Sequence, residues 1–161
     1  MKFLSIEESN SQELESLLNL AAEMKSTRAT TSNQPLAGQT WAIIFTKAST
    51  RTRVSFEVGI RELGGNVMFL SGNDIQLGRG EPIKDTARVL GRMVHGAVIR
   101  TFDQEDVEDF SSYSGIPTIN ALTDKEHPCQ ILADLLTIQE KFGTWEGKKV
   151  VFIGDGNNNM S

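Results

Sequence analysis

The stretch WAIIFTKASTRTR, residues 41–53, decides how the rest of the chain is interpreted. Its first five residues are apolar and are followed by polar ones, which is typical of a short buried strand. Its last five, STRTR, alternate hydroxyl side chains with two arginines, and a segment that suits a helix follows them. A strand that runs through a short loop into a helix is the repeating unit of a parallel sheet.

The same unit recurs along the chain. Strands are predicted at 41–45, 67–70, 97–100 and 116–120, each followed by a helix, at about 51–63, 83–94, 103–114 and 128–142. An earlier helix to about Lys25 is predicted from a capping box of Ser9 and Gln12, and a fifth strand is predicted at 149–153. The alternation predicts an α/β fold in which helices flank a parallel sheet.

The composition of the chain limits the classes of protein to which it can belong. With 39% hydrophobic residues and 23% charged residues, the chain belongs to the soluble globular class. A net charge of -5 argues against nucleic-acid binding, and no apolar run is long enough to cross a membrane. The single cysteine, Cys129, excludes an internal disulfide, and the start of the chain has no signal-peptide pattern. A cytoplasmic protein is expected.

In parallel sheets ligands bind at the carboxyl ends of the strands, so STRTR lies where a ligand would bind. The hydroxyl groups and the free N–H groups of a helix start can together bind an oxyanion, and arginine can bind a phosphate in bidentate fashion. Cations are unfavourable at a helix N-terminus unless an anion lies there. The sequence predicts an anion site at Ser49, Thr50, Arg51 and Thr52, whereas Arg53 could be a structural ion-pair partner.

Other strand ends carry further candidates. Arg100 ends the third strand, and His127 and Gln130 lie three residues apart at the start of the last helix. Taken alone, Arg100 could equally be an exposed strand-end arginine, and the pair would be interpreted as a capping histidine and a solvated glutamine. Candidates at several strand ends together favour a ligand site. His95 and Cys129 are predicted to be structural, no metal-ligand spacing is visible, and the carboxylates of 103–109 are predicted to form a solvated helix face.

The segment GDGNNN, 154–159, follows the last predicted strand. A dinucleotide-binding motif would need glycine where Asn159 stands, so that hypothesis is weak. A tight turn that presents amide side chains fits better. Asn157 and Asn158 are therefore candidate ligands for a zwitterionic second substrate.

Taken together, these motifs resemble the ornithine branch of the aspartate/ornithine carbamoyltransferase family. The resemblance rests on five features of the sequence. They are FTKASTRTR at 45–53, QLGRGE with DTARVL at 76–90, the strand-end Arg100, HPCQ with ILADLLTIQE at 127–140, and GDGNN at 154–158. STRTR and the HPxQ pattern would fit the aspartate branch equally well. Lys47, QLGRGE, the cysteine of HPCQ and GDGNN favour the ornithine branch.

The resemblance implies roles for individual residues. Ser49, Thr50, Arg51 and Thr52 would bind the phosphate of carbamoyl phosphate. Arg100 would bridge its phosphate and carbonyl, and His127 and Gln130 would hold the carbamoyl group; Arg100 and His127 are the expected catalytic residues. Gln76 would reach the active site of an adjacent subunit in a homotrimer, and Asn158 would hold L-ornithine. Neither a metal nor an organic cofactor is expected.

The resemblance also implies a domain division. Members of the family are about twice as long, so 1–147 would be the carbamoyl-phosphate-binding domain and 148–161 the first strand and turn of an ornithine-binding domain. The chain alone is expected to bind phosphate or carbamoyl phosphate without turnover. Aspartate, putrescine or an acetylated ornithine remain alternative acceptors.

Overall fold

Ten elements make up the part of the chain that the computed structural model describes, which is residues 2–28, 30, 32–72 and 81–154. The strands are β1 (Lys2–Phe3), β2 (Thr40–Phe45), β3 (Asn66–Ser71), β4 (Gly96–Arg100) and β5 (Thr118–Leu122). The helices are α1 (Ser11–Thr27), α2 (Thr50–Glu62), α3 (Ile83–Leu90), α4 (Gln104–Ser114) and α5 (Pro128–Phe142).

All five strands form one parallel sheet in the order β1-β5-β4-β2-β3, which confirms the predicted α/β fold. β4 and β2 are neighbours near its centre, and Phe45 is paired with Arg100. The last residues of these two strands therefore lie side by side at the carboxyl edge. This register brings the loop before α2 next to the end of β4.

The core lies on both faces of the sheet because successive residues of a strand point to opposite sides. In β2, Ala42 and Ile44 pack into one cluster, with the α3 and α4 side chains, whereas Ile43 and Phe45 pack into the other, beside α2. A Cβ on Gly96 would lie 2.6 Å from the Trp41 ring, so only glycine lets the first residue of β4 pass that indole.

The start of α1 corrects one prediction. The capping box is formed by Asn10 and Glu13, whose side chains each accept the other's backbone N–H at 3.0 Å, and not by Ser9 and Gln12. Both pairs have the same spacing, and the carboxylate of Glu13 is a stronger acceptor than the amide of Gln12. Ser9 instead closes a turn with its N–H on the Ile6 carbonyl.

Two further differences concern strands. β1 lies beside β5 and was not predicted, because two residues are too few to show a periodic pattern. The strand predicted at 149–153 is wrong for the described residues, where 148–153 has no regular structure. Its apolar side chains are exposed, Ile153 by 93%, since no neighbouring strand pairs with them in the described part of the chain.

The prediction of a solvated acidic face on α4 is only partly right. Asp106 accepts a hydrogen bond from Thr101 Oγ1 at 3.2 Å, and Asp109 lies 3.5 Å from Lys84 Nζ. Asp106 directly precedes Val107, and Asp109 directly precedes Phe110. Val107 and Phe110 are both fully buried. Helical periodicity thus brings part of the acidic run against the protein. Of the helices described, none is long and apolar enough to span a membrane.

Candidate functional site

The first turn of α2 is organised by Ser49, which is its N-cap. Ser49 Oγ accepts the Thr52 backbone N–H at 3.3 Å and donates to Thr52 Oγ1 at 3.0 Å. Thr50 and Arg51 open the helix, and its first turn contains no acidic residue. The remaining N–H groups of this turn and the helix dipole therefore present positive potential that no carboxylate of the turn neutralises.

Arg100 extends this positive surface from the end of β4. Its Nη1 donates to Thr52 Oγ1 at 3.4 Å, and the residue is only 7% exposed. Within the described residues, its buried Nε has no hydrogen-bond partner. Burial lowers the pKa of the guanidinium below its usual value, although an arginine stays charged at any physiological pH. A buried cation of this kind is stabilised by an incoming anion.

His127 is the N-cap of α5 and lines the same cavity as Arg100. Its Nδ1 is buried and lacks a hydrogen-bond partner among the residues that the structure describes. Burial lowers the pKa of the imidazole, the charge of Arg100 lowers it further, and Asp134 acts in the opposite direction. The ring is therefore neutral at pH 7 and offers one N–H donor and one acceptor nitrogen.

Gln130 stands one helical turn into α5. Its Nε2 donates to Asp134 Oδ1 at 2.9 Å, so the amide is held by its own helix. A ligand that accepts from Nε2 would therefore compete with Asp134.

One cavity of about 870 Å³ brings these side chains together. The predicted site residues that line it are Ser49, Thr50, Arg51, Thr52, Arg100, His127 and Gln130. The other two predicted site residues, Gln76 and Asn158, lie outside the described part of the chain. The cavity thus combines a helix N-terminus, hydroxyl groups and two guanidinium groups with a neutral imidazole. It can hold a phosphorylated anion at one end and a polar acyl group at the other.

Arg53 points away from this cavity, although it belongs to STRTR. Its guanidinium stacks on Phe69 at 3.6 Å from the ring centroid, and its Nε lies 3.8 Å from Glu57. This agrees with the alternative of a structural ion-pair partner. The stack joins α2 to β3, so the two arginines of the motif have different surroundings.

Lys47 makes a contact that the sequence did not reveal. Its Nζ lies 2.8 Å from Asp124 Oδ1 and 5.1 Å from the centre of the Phe102 ring. The pair joins the loop after β2 to the loop after β5, which leads to His127. The only signal in the sequence was that both residues follow predicted strands.

Two residues that were predicted to be structural do have structural contacts. His95 Nδ1 accepts the Thr40 N–H at 3.1 Å, at the start of β2. The Cys129 thiol faces the Asn120 carbonyl at 3.5 Å, and burial raises its pKa to about 12. Although Cys129 also lines the cavity, its thiol is protonated at neutral pH and is a poor nucleophile.

Comparison with known proteins agrees with this geometry. The family model described as "Aspartate/ornithine carbamoyltransferase, carbamoyl-P binding domain" matches residues 1–140. An ornithine carbamoyltransferase of Akkermansia muciniphila is 67% identical over 160 residues, which are 98% of this chain and 52% of that protein. One from Methanocorpusculum labreanum is 55% identical over 97% of this chain and 52% of its own length.

Solved structures show the same relationship. Ornithine carbamoyltransferase from Pyrococcus furiosus superposes with a TM-score of 0.94 at 47% identity, over 99% of this chain and 51% of that one. The enzyme from Gloeobacter violaceus gives 0.85 at 48% identity, over 98% of this chain and 50% of its own. The chain spans about half the length of these relatives. With its fold, its motifs and its sequence all in agreement, the chain belongs to the aspartate/ornithine carbamoyltransferase family, whose carbamoyl-phosphate-binding domain it matches.

Proposed function

We propose that this chain supplies the carbamoyl-phosphate half of an ornithine carbamoyltransferase, which converts carbamoyl phosphate and L-ornithine into L-citrulline and phosphate. The observation that carries the proposal is the buried guanidinium of Arg100 beside the first turn of α2. It needs an anion, and the cavity around it has room for one with a carbamoyl group attached. The names of the relatives support ornithine as the acceptor.

In this mechanism the phosphate lies at the start of α2, bound by the hydroxyl groups of Ser49, Thr50 and Thr52 and by Arg51. The carbamoyl oxygen lies between Arg100 and His127, and Gln130, whose Nε2 is held by Asp134, accepts the carbamoyl N–H at its Oε1. Phosphate is thus held where the helix dipole favours negative charge.

The neutral δ-amine of ornithine attacks the carbamoyl carbon and forms a C–N bond. The resulting tetrahedral oxyanion is stabilised by Arg100, His127 and Thr52, and donors of this kind contribute about 3–4 kcal/mol each. The C–O bond to phosphate then breaks, phosphate leaves with the bonding electron pair, and the amine proton passes to it or to solvent. A neutral His127 suits this role because it donates a hydrogen bond without repelling the cation beside it.

The remaining parts of the proposal rest on family resemblance. Gln76 would complete the site of an adjacent subunit in a homotrimer, and Asn158 would bind the α-amino acid part of ornithine. Residues 1–147 would form the first domain and 148–161 the beginning of the second; the exposed apolar side chains at 150–153 suit a segment that a second domain covers. A cytoplasmic enzyme of arginine biosynthesis follows from this proposal.

For the chain alone we propose binding without turnover, because it spans only half of its relatives.

The test of the activity is citrulline formation by the whole protein. Formation of carbamoyl-aspartate instead would assign it to the sister branch, and the same assay with putrescine and acetylornithine checks the other acceptors.

Binding is tested on the chain itself by titration with carbamoyl phosphate. Arg51→Ala should weaken binding roughly 10- to 100-fold, as expected for the loss of a hydrogen bond to a charged group. The matched control is Arg61→Ala, which removes an arginine from the other end of α2, where it pairs with Glu57 at 3.1 Å. Equal affinities of the two variants would contradict the proposed site, and citrulline production by the chain alone would contradict binding without turnover.

A further inference from the structure

Three polar side chains tie the start of α4 to the loop that precedes His127. Gln104, the first residue of α4, accepts two hydrogen bonds at Oε1, from Thr123 Oγ1 at 2.7 Å and from Asn120 Nδ2 at 3.2 Å. Asn120 and Thr123 are completely buried. One amide oxygen of α4 is therefore the shared acceptor for two buried donors at the end of β5.

Thr123 in turn fixes the turn that leads to His127. Its Oγ1 accepts the Glu126 N–H at 3.0 Å, and its own backbone N–H donates to the Glu126 carbonyl at 2.8 Å. His127 is the next residue and begins α5 as its N-cap. The position of Thr123 thus sets the position of Glu126, and with it that of His127 and its imidazole ring.

We propose that Gln104 is a positioning residue for His127, which it holds in the cavity through Thr123 and the turn 123–126. The inference rests on the proposed function only in giving His127 a carbamoyl group to hold. Gln104 is not among the residues that line the cavity, so it would act without touching the substrate.

Removing the acceptor breaks the 2.7 Å bond that ties Thr123 to α4 and one of the two bonds of Asn120 Nδ2, and this loss costs stability. The Thr123 hydroxyl still lies 3.4 Å from the Glu126 carbonyl, within its own turn, and Asn120 still donates to the Leu4 carbonyl, so the turn is no longer tied to α4. The turn can relieve this cost by moving Thr123 toward water, and His127 then moves with it.

In its present place the imidazole has a lowered pKa because it is buried and because Arg100 is near, with Asp134 as the opposing charge. Displacement weakens both effects, so the pKa of His127 should rise toward 6.5.

The first experiment follows the imidazole protons by NMR as a function of pH in the 161-residue chain. The chain has two histidines, and His95, which directly precedes β4 and accepts the Thr40 N–H, provides the second imidazole signal. We expect Gln104→Met and Thr123→Val to raise the pKa of His127. Thr123→Ser, which keeps the hydroxyl, and Gln12→Met, on the exposed surface of α1, should titrate as the original chain does.

If a single variant is too unstable to study, a double variant still tests the positioning role. The double variant Gln104→Met/Thr123→Val replaces both partners of the 2.7 Å bond by apolar groups, so no polar group of that bond remains unsatisfied, although the Glu126 N–H loses its acceptor as it does in Thr123→Val. It too should release His127. If the folded single and double variants give His127 the same pKa as the original chain, the positioning role is refuted.

A kinetic experiment on the whole enzyme separates this inference from the proposed function. A displaced catalytic group costs about 10- to 100-fold in rate, so Gln104→Met should lower kcat by that factor while Thr123→Ser keeps it. An unmodified enzyme that makes no citrulline would refute the proposed function, and the NMR titration would still decide the positioning role. A Gln104→Met enzyme with normal kcat would contradict the inference alone.

Discussion

The guanidinium of Arg100 reaches across from the end of β4 to the first turn of α2, where its Nη1 lies 3.4 Å from Thr52 Oγ1. The contact joins two elements that are 48 residues apart in the chain. A threonine hydroxyl satisfies one donor of a guanidinium but neutralises none of its charge. The contact therefore holds a full positive charge beside the first turn of α2, where an anion would be stabilised.

This relationship predicts opposite effects of Arg100→Met on stability and on binding. Methionine fills much of the same space without a buried charge, so the free energy of unfolding should stay equal or rise in the absence of anions. Affinity for inorganic phosphate should fall about 10- to 100-fold. Urea unfolding and calorimetry measure the two quantities. A strongly destabilised variant would show that Arg100 serves the fold instead.

Arg53→Ala should have the reverse pattern. It removes the stack on Phe69 and the contact with Glu57, and such cation–π contacts contribute about 0.5–2 kcal/mol. Stability in urea should decrease by that amount, while phosphate affinity changes less than about two-fold because the side chain faces away from the site. A ten-fold loss of affinity would place Arg53 among the phosphate ligands.

Ser49→Ala should affect both properties. Loss of the N-cap bond to the Thr52 N–H lowers the free energy of unfolding by about 1 kcal/mol, and loss of a hydroxyl from the cavity weakens phosphate binding. Asn10→Ala is the matched control, since it removes the N-cap of α1. That variant should show a similar loss of stability, measured by urea unfolding, with unchanged phosphate affinity. Equal affinities of the two would exclude a binding role for Ser49.

Asp106→Asn should change how stability depends on pH. Burial raises the pKa of the Asp106 carboxyl, the charges of Asp103 and Asp109 raise it further, and the hydrogen bond from Thr101 lowers it. The folded chain therefore binds this proton more tightly than the unfolded chain does. The contribution of Asp106 to stability is complete below its unfolded pKa of about 3.8 and is lost as the pH rises through the folded pKa.

The asparagine variant should consequently be more stable than the original chain at pH 7, and the difference should shrink as the pH approaches 4. Urea unfolding at several pH values measures it. A loss of stability at pH 7 would mean that the Thr101 hydrogen bond outweighs burial.

Cys129 should react slowly with thiol reagents in the folded chain. Because burial raises its pKa to about 12, the thiolate is scarce at pH 8, and alkylation should be at least on the order of 100-fold slower than for an exposed thiol. Unfolding in urea should restore the ordinary rate, which provides the control in the same sample. Rapid labelling of the native chain would show that the thiol is accessible.

The features predicted correctly from the sequence are those with a long or local signal. Buried strands such as 41–45 and the proline at the start of α5 each carry enough residues or a strong enough backbone preference to be recognised. The capping box of α1 was predicted one residue too early, because Ser9–Gln12 and Asn10–Glu13 have the same spacing. Segment 149–153 has the composition of a strand, but a strand also needs a neighbour to pair with.

Some residues of the candidate site could also be found from the sequence, and others could not. The strand-end rule selected Arg51, Arg100 and His127 because it depends only on topology. It could not separate Arg53 from Arg51, since their directions depend on whether α2 packs on Phe69. The contacts of Lys47 with Asp124 and of Gln104 with Thr123 join residues 77 and 19 positions apart, and one sequence alone gives no signal for such pairs.

The short strand β1 has a consequence for the order in which the protein is made. Lys2 and Phe3 pair with Thr118 and Ile119, and the carbonyl of Leu4, a residue only 1% exposed, accepts a hydrogen bond from Asn120. Asn120 and Leu4 are 116 positions apart, so during synthesis β1 must wait until β5 has left the ribosomal exit tunnel and docks among the last strands of the sheet.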